Sequence, residues 1–329
     1  MAETTPVTVL TGFLGAGKTT VLNHLLRQPA LARTAVLVNE FGDIGIDHLL
    51  VEKLDENTVL LNAGCLCCTV RGDLTRVLRE MMPRARRDEI GRIVIETTGL
   101  AEPAPILATL MTDPVVASTY RLDGVVTVVD AVAGETNLAA HAEAMRQVAV
   151  ADRIVVTKSD LADPGPLLAR IAALNPGAPV ILADHGAVDP GAVLNAGLFA
   201  PASKIPDVAG WLGAEAHGHG HGHRDHDSRI SSFCLTFAKP LRWQGVGMWL
   251  ELLIRTRGAD ILRIKGILNL QGQDRPVAIL GVQHVLHPPA LLSAWPEGDP
   301  RTSRLVFITQ DLPRAAIEEG LRAFEAAAG

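Results

Sequence analysis

Aromatic residues are scarce in this chain, and a long apolar run is absent. Phe, Trp and Tyr make up only 4% of the 329 residues, so a core must be built mainly from aliphatic side chains. No apolar stretch approaches the roughly 18 residues that a bilayer-spanning helix requires. The first residues also lack the basic segment of a secretory signal. We therefore expect a cytoplasmic protein with no membrane partner.

Excess positive charge is also absent, and cysteines are few. The 30 Lys and Arg residues are outnumbered by 36 Asp and Glu, and the net charge of -6 gives no electrostatic reason to bind nucleic acid. Four cysteines in a chain of this length, without a secretory signal, do not indicate a disulfide-rich scaffold. The 48% hydrophobic content suits a globular protein, and the length favours two domains.

Short aliphatic runs alternate with helical patterns over residues 1–200. Such runs are typical of strands buried on both faces of a parallel sheet, and the helical patterns between them predict crossover helices. The predicted strands are 8–10, 35–38, 93–95, 125–129, 154–156 and 180–182. The predicted helices are 18–27, 74–82, 138–148 and 167–174. The pattern indicates an α/β domain with a mainly parallel sheet.

The composition changes at a linker, residues 201–229, where histidine, glycine and charged residues replace the aliphatic pattern. Beyond the linker the patterns predict further strands and helices. The predicted strands are 231–237, 261–270 and 305–308, and the predicted helices are 247–255 and 314–324. Residues 230–329 are therefore expected to form a second, smaller α+β domain.

A glycine-rich loop follows the first predicted strand and opens the first predicted helix. Residues 12–19, GFLGAGKT, match the P-loop pattern G-x-x-x-x-G-K-[ST]. In such a loop, backbone N–H groups surround phosphate oxygens, the lysine binds the β- and γ-phosphates, and the threonine hydroxyl binds Mg²⁺. The residues predicted to bind nucleotide here are Gly12, Gly15, Ala16, Gly17, Lys18, Thr19 and Thr20. Lys18 and Thr19 are also predicted to be catalytic.

Two further strands end in polar residues. Glu96 and Gly99 follow the strand 93–95, at the sheet edge where ligands gather in open α/β folds. We expect Glu96 to orient Mg²⁺-bound water in catalysis and the Gly99 N–H to sense the γ-phosphate. A simple acid at a strand end is the alternative.

Thr157-Lys158-Ser159-Asp160 ends another strand and resembles the Asn-Lys-x-Asp base-reading motif of GTPases. The Asp160 carboxylate can accept the donor pair of guanine, and Thr157 stands where that motif has Asn. Thr157, Lys158 and Asp160 are therefore predicted to bind the base. The departure at Thr157 is expected to weaken the preference for guanine.

Three thiols occur within four residues, at Cys65, Cys67 and Cys68. Thiolates are soft ligands that favour Zn²⁺, Cu(I) and, where the geometry permits, Co²⁺ or Ni²⁺. Three of them leave one tetrahedral position open for exchange, and binding by two thiols together with Glu40 is an alternative. Glu40, in a segment that resembles a switch loop after the second strand, is a candidate second carboxylate for Mg²⁺ or for the exchanged metal. A redox pair and inert thiols are the alternatives at the cysteines. For Glu40, the alternative is an exposed acid in a loop. For the linker at residues 201–229, the alternative to metal binding is a solvated tether.

Five histidines lie between His217 and His226 and provide further weak ligands for Zn²⁺, Ni²⁺ or Co²⁺.

The order of these motifs, at residues 12–19, 39–42, 65–68, 96–99 and 157–160, resembles the CobW family of metallochaperone GTPases. Residues 263–268, RIKGIL, are similar to the C-terminal domain signature of that family. The resemblance implies a P-loop GTPase domain joined to a smaller α+β domain. It also implies delivery of a metal to a client protein, driven by the binding and hydrolysis of GTP. GTP, Mg²⁺ and Zn²⁺ are the implied cofactors, with Co²⁺ as an alternative.

Other functions stay open at this point. An ATP-dependent kinase or ligase would use the P-loop and leave the thiols idle, and a metal buffer or sensor would bind metal without nucleotide turnover. Cobalt delivery for cobalamin synthesis, or metal delivery to nitrile hydratase, would use the same motifs. The sequence also leaves homodimer formation open.

Overall fold

The computed structural model describes residues 4–41, 58–63, 69–196 and 229–328. The chain divides into two compact units. One unit consists of Met1–Ile171 and Ala178–Pro201, and the other consists of Ala172–Gly177 and Ala202–Gly329. Among the described helices, none is both long enough and apolar enough to cross a membrane.

The first unit is built on a parallel sheet whose seven described strands run in the order β3-β2-β4-β1-β5-β6-β7. Its strands are β1 (Thr5–Gly12), β2 (Thr34–Phe41), β3 (Thr58–Ala63), β4 (Arg92–Glu96), β5 (Tyr120–Asp130), β6 (Arg153–Thr157) and β7 (Val180–Leu182). Val7, Val9, Ile93 and Ile95 are fully buried, because helices cover both faces of a parallel sheet. The predicted α/β fold is confirmed.

Helices lie between most of these strands, because parallel strands need crossover connections. In chain order they are α1 (Lys18–Leu26), α2 (Thr69–Arg86), α3 (Ala104–Thr112), α4 (Pro114–Ala117), α5 (Gly134–Ala140), α6 (Ala142–Ala149), α7 (Gly165–Leu174) and α8 (Pro190–Val193). A 3-10 helix spans Pro29–Leu31. Val21, Leu22 and Leu25 of α1 pack into the core with Leu10 of β1, so α1 is fixed behind the end of the central strand.

The structure corrects two of the sequence predictions in this unit. The helix predicted at 138–148 is broken at His141, which has an extended backbone (φ -126°, ψ 118°) between α5 and α6. Strand β2 continues to Phe41, so Asn39 and Glu40, which were predicted to begin a loop, have strand backbone. Pairing with β3 explains this extension, since Glu40 lies in register with Asn62.

A polar cluster at the amino edge of the sheet holds the last described residues of the first unit. Arg92 donates from Nη1 to Oδ2 of Asp123 at 2.6 Å and from Nη2 to Oδ1 of Asn195 at 2.5 Å. Asp123 also accepts from the hydroxyl of Thr8 and from the backbone N–H of Asn195, both at 3.0 Å. Residues 188–194, which precede this cluster, contribute Val188, Val193 and Leu194 to the core.

The second unit contains an antiparallel sheet packed against two helices. Its strands are β8 (Ile230–Phe237), β9 (Ile261–Leu270), β10 (Gln273–Val282), β11 (Val285–Leu286), β12 (Ala290–Leu291) and β13 (Ser303–Gln310). Its helices are α9 (Trp243–Arg257) and α10 (Arg314–Ala327), with a 3-10 helix at Gly258–Asp260. Trp249 of α9 packs edge-on against Phe307 of β13, with ring centroids 6.0 Å apart. The predicted smaller α+β unit is confirmed.

Candidate nucleotide site

The loop between β1 and α1 lies at the carboxyl end of the central strand, between β4 and β5. A Cβ built on Gly12 would lie 2.2 Å from the carbonyl oxygen of Val128, so only glycine fits at that close approach. Gly17 has the left-handed backbone (φ 90°, ψ 21°) that precedes α1, and no side chain caps the helix. The first N–H groups of α1 are thereby arranged as an anion site.

Three predicted catalytic side chains converge at this loop. The Lys18 ammonium is buried and donates to the carbonyl oxygens of Gly12 at 2.9 Å and Phe13 at 3.3 Å. The Thr19 hydroxyl donates to Oε1 of Glu96 at 2.8 Å. Glu96 arrives there because β4 pairs with β1, which places it in register with Leu10. A hydroxyl and a carboxylate oxygen at this separation fit a hard cation such as Mg²⁺.

Gly99 follows Glu96 and packs directly on the P-loop backbone. A Cβ built on Gly99 would lie 2.6 Å from the backbone nitrogen and 2.7 Å from the Cα of Leu14. Thr97, between Glu96 and Gly99, donates from its backbone N–H to Leu10 at 2.9 Å and from its hydroxyl to Thr11 at 2.8 Å. The turn that is predicted to sense the γ-phosphate therefore lies against the P-loop, which is predicted to bind the phosphates.

Two of the three residues predicted to bind the base contact the same loop. The Thr157 hydroxyl donates to the carbonyl oxygen of Ala16 at 2.7 Å, and Lys158, with left-handed backbone (φ 56°), donates to the carbonyl oxygen of Gly15 at 2.9 Å. Lys158 also forms an ion pair with Asp130. A hydroxyl has a single proton, and the Thr157 hydroxyl uses its proton in the hydrogen bond to the P-loop. Asp160 is exposed, and its Oδ2 lies 3.9 Å from Nδ1 of His185.

Two further contributors at this edge of the sheet were not predicted from the sequence. Asp130 ends β5, accepts from the backbone N–H of Val132 at 2.7 Å and receives the Lys158 ammonium. Its signal was present, since Asp130 ends a strand just as Glu96 does. The turn after β7 packs Gly186 against Thr20, where an added Cβ would lie 2.7 Å from the threonine methyl. A short glycine-containing turn has no sequence pattern that would have predicted this contact.

Thr19, the predicted Mg²⁺ ligand, is described, whereas the predicted ligands of the exchanged metal lie outside the described residues. These are Cys65, Cys67, Cys68 and the side chain of Glu40, and the histidines of the linker are likewise outside. The structure does describe the elements on either side of the cysteines, since β3 ends at Ala63 and α2 begins at Thr69. Within the described ranges, no group of three or more His, Cys, Asp or Glu side chains is arranged to hold a metal ion.

The parallel sheet, the glycine-rich loop at its centre and the Thr157–Asp160 segment together define a P-loop GTPase. Residues 6–181 match the CobW/HypB/UreG nucleotide-binding domain, and residues 230–325 match the cobalamin synthesis protein CobW C-terminal domain. The chain therefore belongs to the CobW family.

Relatives in this family match the chain over nearly its whole length. The zinc chaperone YjiA of Escherichia coli is 34% identical over 320 residues, which cover 96% of each chain. The zinc chaperone CobW of Pseudomonas aeruginosa is 34% identical over 358 residues, which cover 96% of this chain and 90% of that one. The crystal structure of Zn(II)-bound YjiA GTPase from E. coli superposes with a TM-score of 0.72 at 28% identity, covering 98% of this chain and 99% of the other.

Proposed function

We propose that this chain is a GTP-dependent zinc chaperone that binds GTP at the P-loop and carries zinc, or a similar divalent metal, at Cys65-Leu66-Cys67-Cys68. Hydrolysis of GTP then accompanies transfer of the metal to a client protein. The observation that carries the proposal is the 2.8 Å contact between the Thr19 hydroxyl and the Glu96 carboxylate, beside the Lys18 ammonium. It brings together the hydroxyl, acid and cation that phosphoryl transfer needs.

Each of these three side chains, and Asp160, has a role in the proposal. Thr19 and Glu96 would hold Mg²⁺, and the bound ion would supply positive charge to the phosphate oxygens. The Lys18 ammonium exchanges its contacts with the Gly12 and Phe13 carbonyl oxygens for contacts with phosphate oxygens. Glu96 would also orient Mg²⁺-bound water, and Asp160 accepts the donor pair of the guanine base.

The sheet topology supports a link between the nucleotide and the thiols. Strand β2 pairs with β4, with Val38 in register with Glu96, and on its other side β2 pairs with β3. The cysteine cluster follows β3 directly, so only one strand separates the strand before the thiols from the strand that carries Glu96. We propose that the nucleotide state acts on the metal ligands along this route, with Glu40 at the end of β2 as an additional ligand.

Zinc is favoured over cobalt because zinc chaperones are among the relatives that span the whole chain. A Zn(II)-bound structure also exists for a triple mutant of YjiA GTPase in which one glutamate and two cysteines are replaced by alanine. Zinc binding by itself would therefore be a weak test of the cysteine site. The decisive quantity is the difference in zinc affinity between nucleotide states.

The test is an anaerobic zinc competition titration of the protein loaded with Mg²⁺ and either GDP or a non-hydrolysable GTP analogue. We expect the affinities to differ by about tenfold or more, a coupling free energy of ~1.4 kcal/mol. Lys18→Ala should abolish the difference by removing the phosphate contact. The same should hold when Cys65, Cys67 and Cys68 are all replaced by Ser. Cys234→Ser, which removes the remaining cysteine, is the matched control and should behave as wild type.

Each of the other outcomes would indicate a different function, a different metal site or a different metal. Equal zinc affinity in both nucleotide states would refute the chaperone mechanism and indicate a metal buffer or sensor. If the triple cysteine variant kept the difference in zinc affinity between nucleotide states, residues other than these cysteines would be the metal ligands. A coupling seen with Co²⁺ and not with Zn²⁺ would replace zinc by cobalt as the cargo.

A further inference from the structure

One buried amide binds the turn that follows Glu96. The side chain of Gln147, in α6, is 1% exposed. Its Nε2 donates to the carbonyl oxygens of Gly99 at 3.1 Å and Ala101 at 3.0 Å. Both protons of the amide are therefore used on the turn whose glycine packs on the P-loop.

Contacts made by Gln147 and by neighbouring residues hold helix α6 in place. The Thr127 hydroxyl of β5 donates to the backbone carbonyl oxygen of Gln147 at 2.7 Å, in a buried contact. Arg146, the preceding residue, forms an ion pair with Glu102 just beyond the turn. His141, immediately before α6, stacks on Phe13 of the P-loop, with ring centroids 4.5 Å apart. The helix contacts the Gly99 turn, and the residue just before it contacts the P-loop.

The turn is therefore held from two sides. On one side, Gly99 lies against the backbone of Leu14, closer than any Cβ would allow. On the other side, the Gln147 amide fixes the carbonyl oxygens of Gly99 and Ala101. Between them the turn closes with a hydrogen bond from the Ala101 N–H to the Thr98 carbonyl oxygen at 3.1 Å.

We infer that Gln147 is a positioning residue for GTP hydrolysis, which holds the Gly99 turn where its N–H meets the γ-phosphate. The inference rests on the proposed role of Gly99 and goes beyond it by naming what sets the position of the turn. The hydrogen bonds described for the Gln147 side chain go to two carbonyl oxygens of the turn, and not to the P-loop residues proposed to hold the β-phosphate. Its loss should therefore slow hydrolysis without weakening GDP binding.

The test is Gln147→Met, which keeps the length and approximate volume of the side chain and removes both donors. Single-turnover GTP hydrolysis should fall about tenfold, the effect expected from losing roughly one net hydrogen bond in the transition state. The Kd for GDP should stay within about twofold of wild type. Hydrogen exchange at the Ala101 amide, measured in the GDP-bound protein, should become faster because the turn has lost its anchor.

Tyr120→Phe is the control, because it removes a different buried hydrogen bond from the same unit. Tyr120 donates to the Leu78 carbonyl oxygen at 2.8 Å, at the opposite end of β5 from Asp130. We expect it to lower stability and leave the hydrolysis rate and Ala101 exchange unchanged. Should Gln147→Met fail to fold, Gln147→Asn retains an amide on a shorter stem and should show the same pattern to a smaller extent.

The outcomes separate this inference from the proposed function. A wild-type protein that hydrolyses no GTP would overturn the proposed function itself. An active wild type with a Gln147→Met variant of equal rate and equal Ala101 exchange would overturn only the positioning role. A variant that loses GDP affinity and hydrolysis by the same factor would show that Gln147 merely supports the fold.

Discussion

Replacing Gly99 by alanine should separate nucleotide binding from hydrolysis. The added Cβ would lie 2.6 Å from the backbone nitrogen of Leu14, where an unstrained contact needs about 3.5 Å. The obstacle is backbone that cannot rotate away, so the turn and the P-loop must separate by about 1 Å. Overpacking of this kind costs typically 1–3 kcal/mol of stability, roughly what the protein can absorb and stay folded.

A displacement of 1 Å matters more for catalysis than for binding. Mispositioning on this scale can cost about 10²-fold in rate. The residues proposed to contact GDP are Gly15 to Thr19, whereas the atoms nearest to the added Cβ all belong to Leu14. We therefore expect single-turnover hydrolysis by Gly99→Ala to fall by about two orders of magnitude, with the Kd for GDP within about threefold of wild type.

Gly91→Ala is the matched control, because Gly91 immediately precedes β4 as Gly99 follows it. There the nearest atom to an added Cβ is the end of the flexible Arg33 side chain, at 3.4 Å, which can move aside. This variant should hydrolyse GTP at the wild-type rate. Hydrolysis by Gly99→Ala within about threefold of wild type would refute the conclusion that close packing of the turn on Leu14 is needed for activity.

Three further results are expected. Asp160→Ala should reduce the preference for guanine over adenine nucleotides by at least about tenfold in competition binding, since a charged acceptor pair is lost; an unchanged ratio would remove Asp160 from base reading. Asp123→Asn should lower the free energy of unfolding in urea by about 3 kcal/mol, because the Arg92 guanidinium loses its negatively charged partner and keeps only the neutral Asn195 and Thr8. A loss under about 1 kcal/mol would contradict a structural role for this cluster. Burial raises the pKa of Tyr120, the single tyrosine, to about 12. Because this folded-state pKa lies above the unfolded value of about 10, the stability from the neutral phenol is complete below pH 10 and is lost as the pH rises toward 12. A near-ultraviolet titration of tyrosinate with a midpoint near 10 would contradict the raised pKa, and Tyr120→Phe should lack this part of the alkaline loss of stability.

The nucleotide site could be predicted because its chemistry is local in sequence. The spacing of Gly12, Gly17 and Lys18 is enough to specify a phosphate loop, and the polar residues Glu96 and Thr157 directly end aliphatic runs. Parallel strands deliver their carboxyl ends to one edge, so residues far apart in sequence meet there. The contact between Thr19 and Glu96 is the direct result.

Features that depend on tertiary contacts could not be predicted in this way. Strand β10 contains Pro276, which argues against a strand in sequence, and the structure accommodates it at a shift of register between Gln273 and Val277. The break at His141 has no glycine or proline to mark it, and the helical periodicity continues across it. Gln147 resembles any polar residue within an amphipathic helix until the position of the Gly99 turn is known.

The cluster of Arg92, Asp123 and Asn195 has a practical consequence for work on the nucleotide-binding half alone. The family match ends at residue 181, and a fragment cut there would lose the core side chains of Val188, Val193 and Leu194. It would also leave Arg92 and Asp123 without Asn195, which contributes both a carbonyl and a backbone N–H to them. A fragment intended for crystallisation or binding studies should therefore extend at least through Ala196.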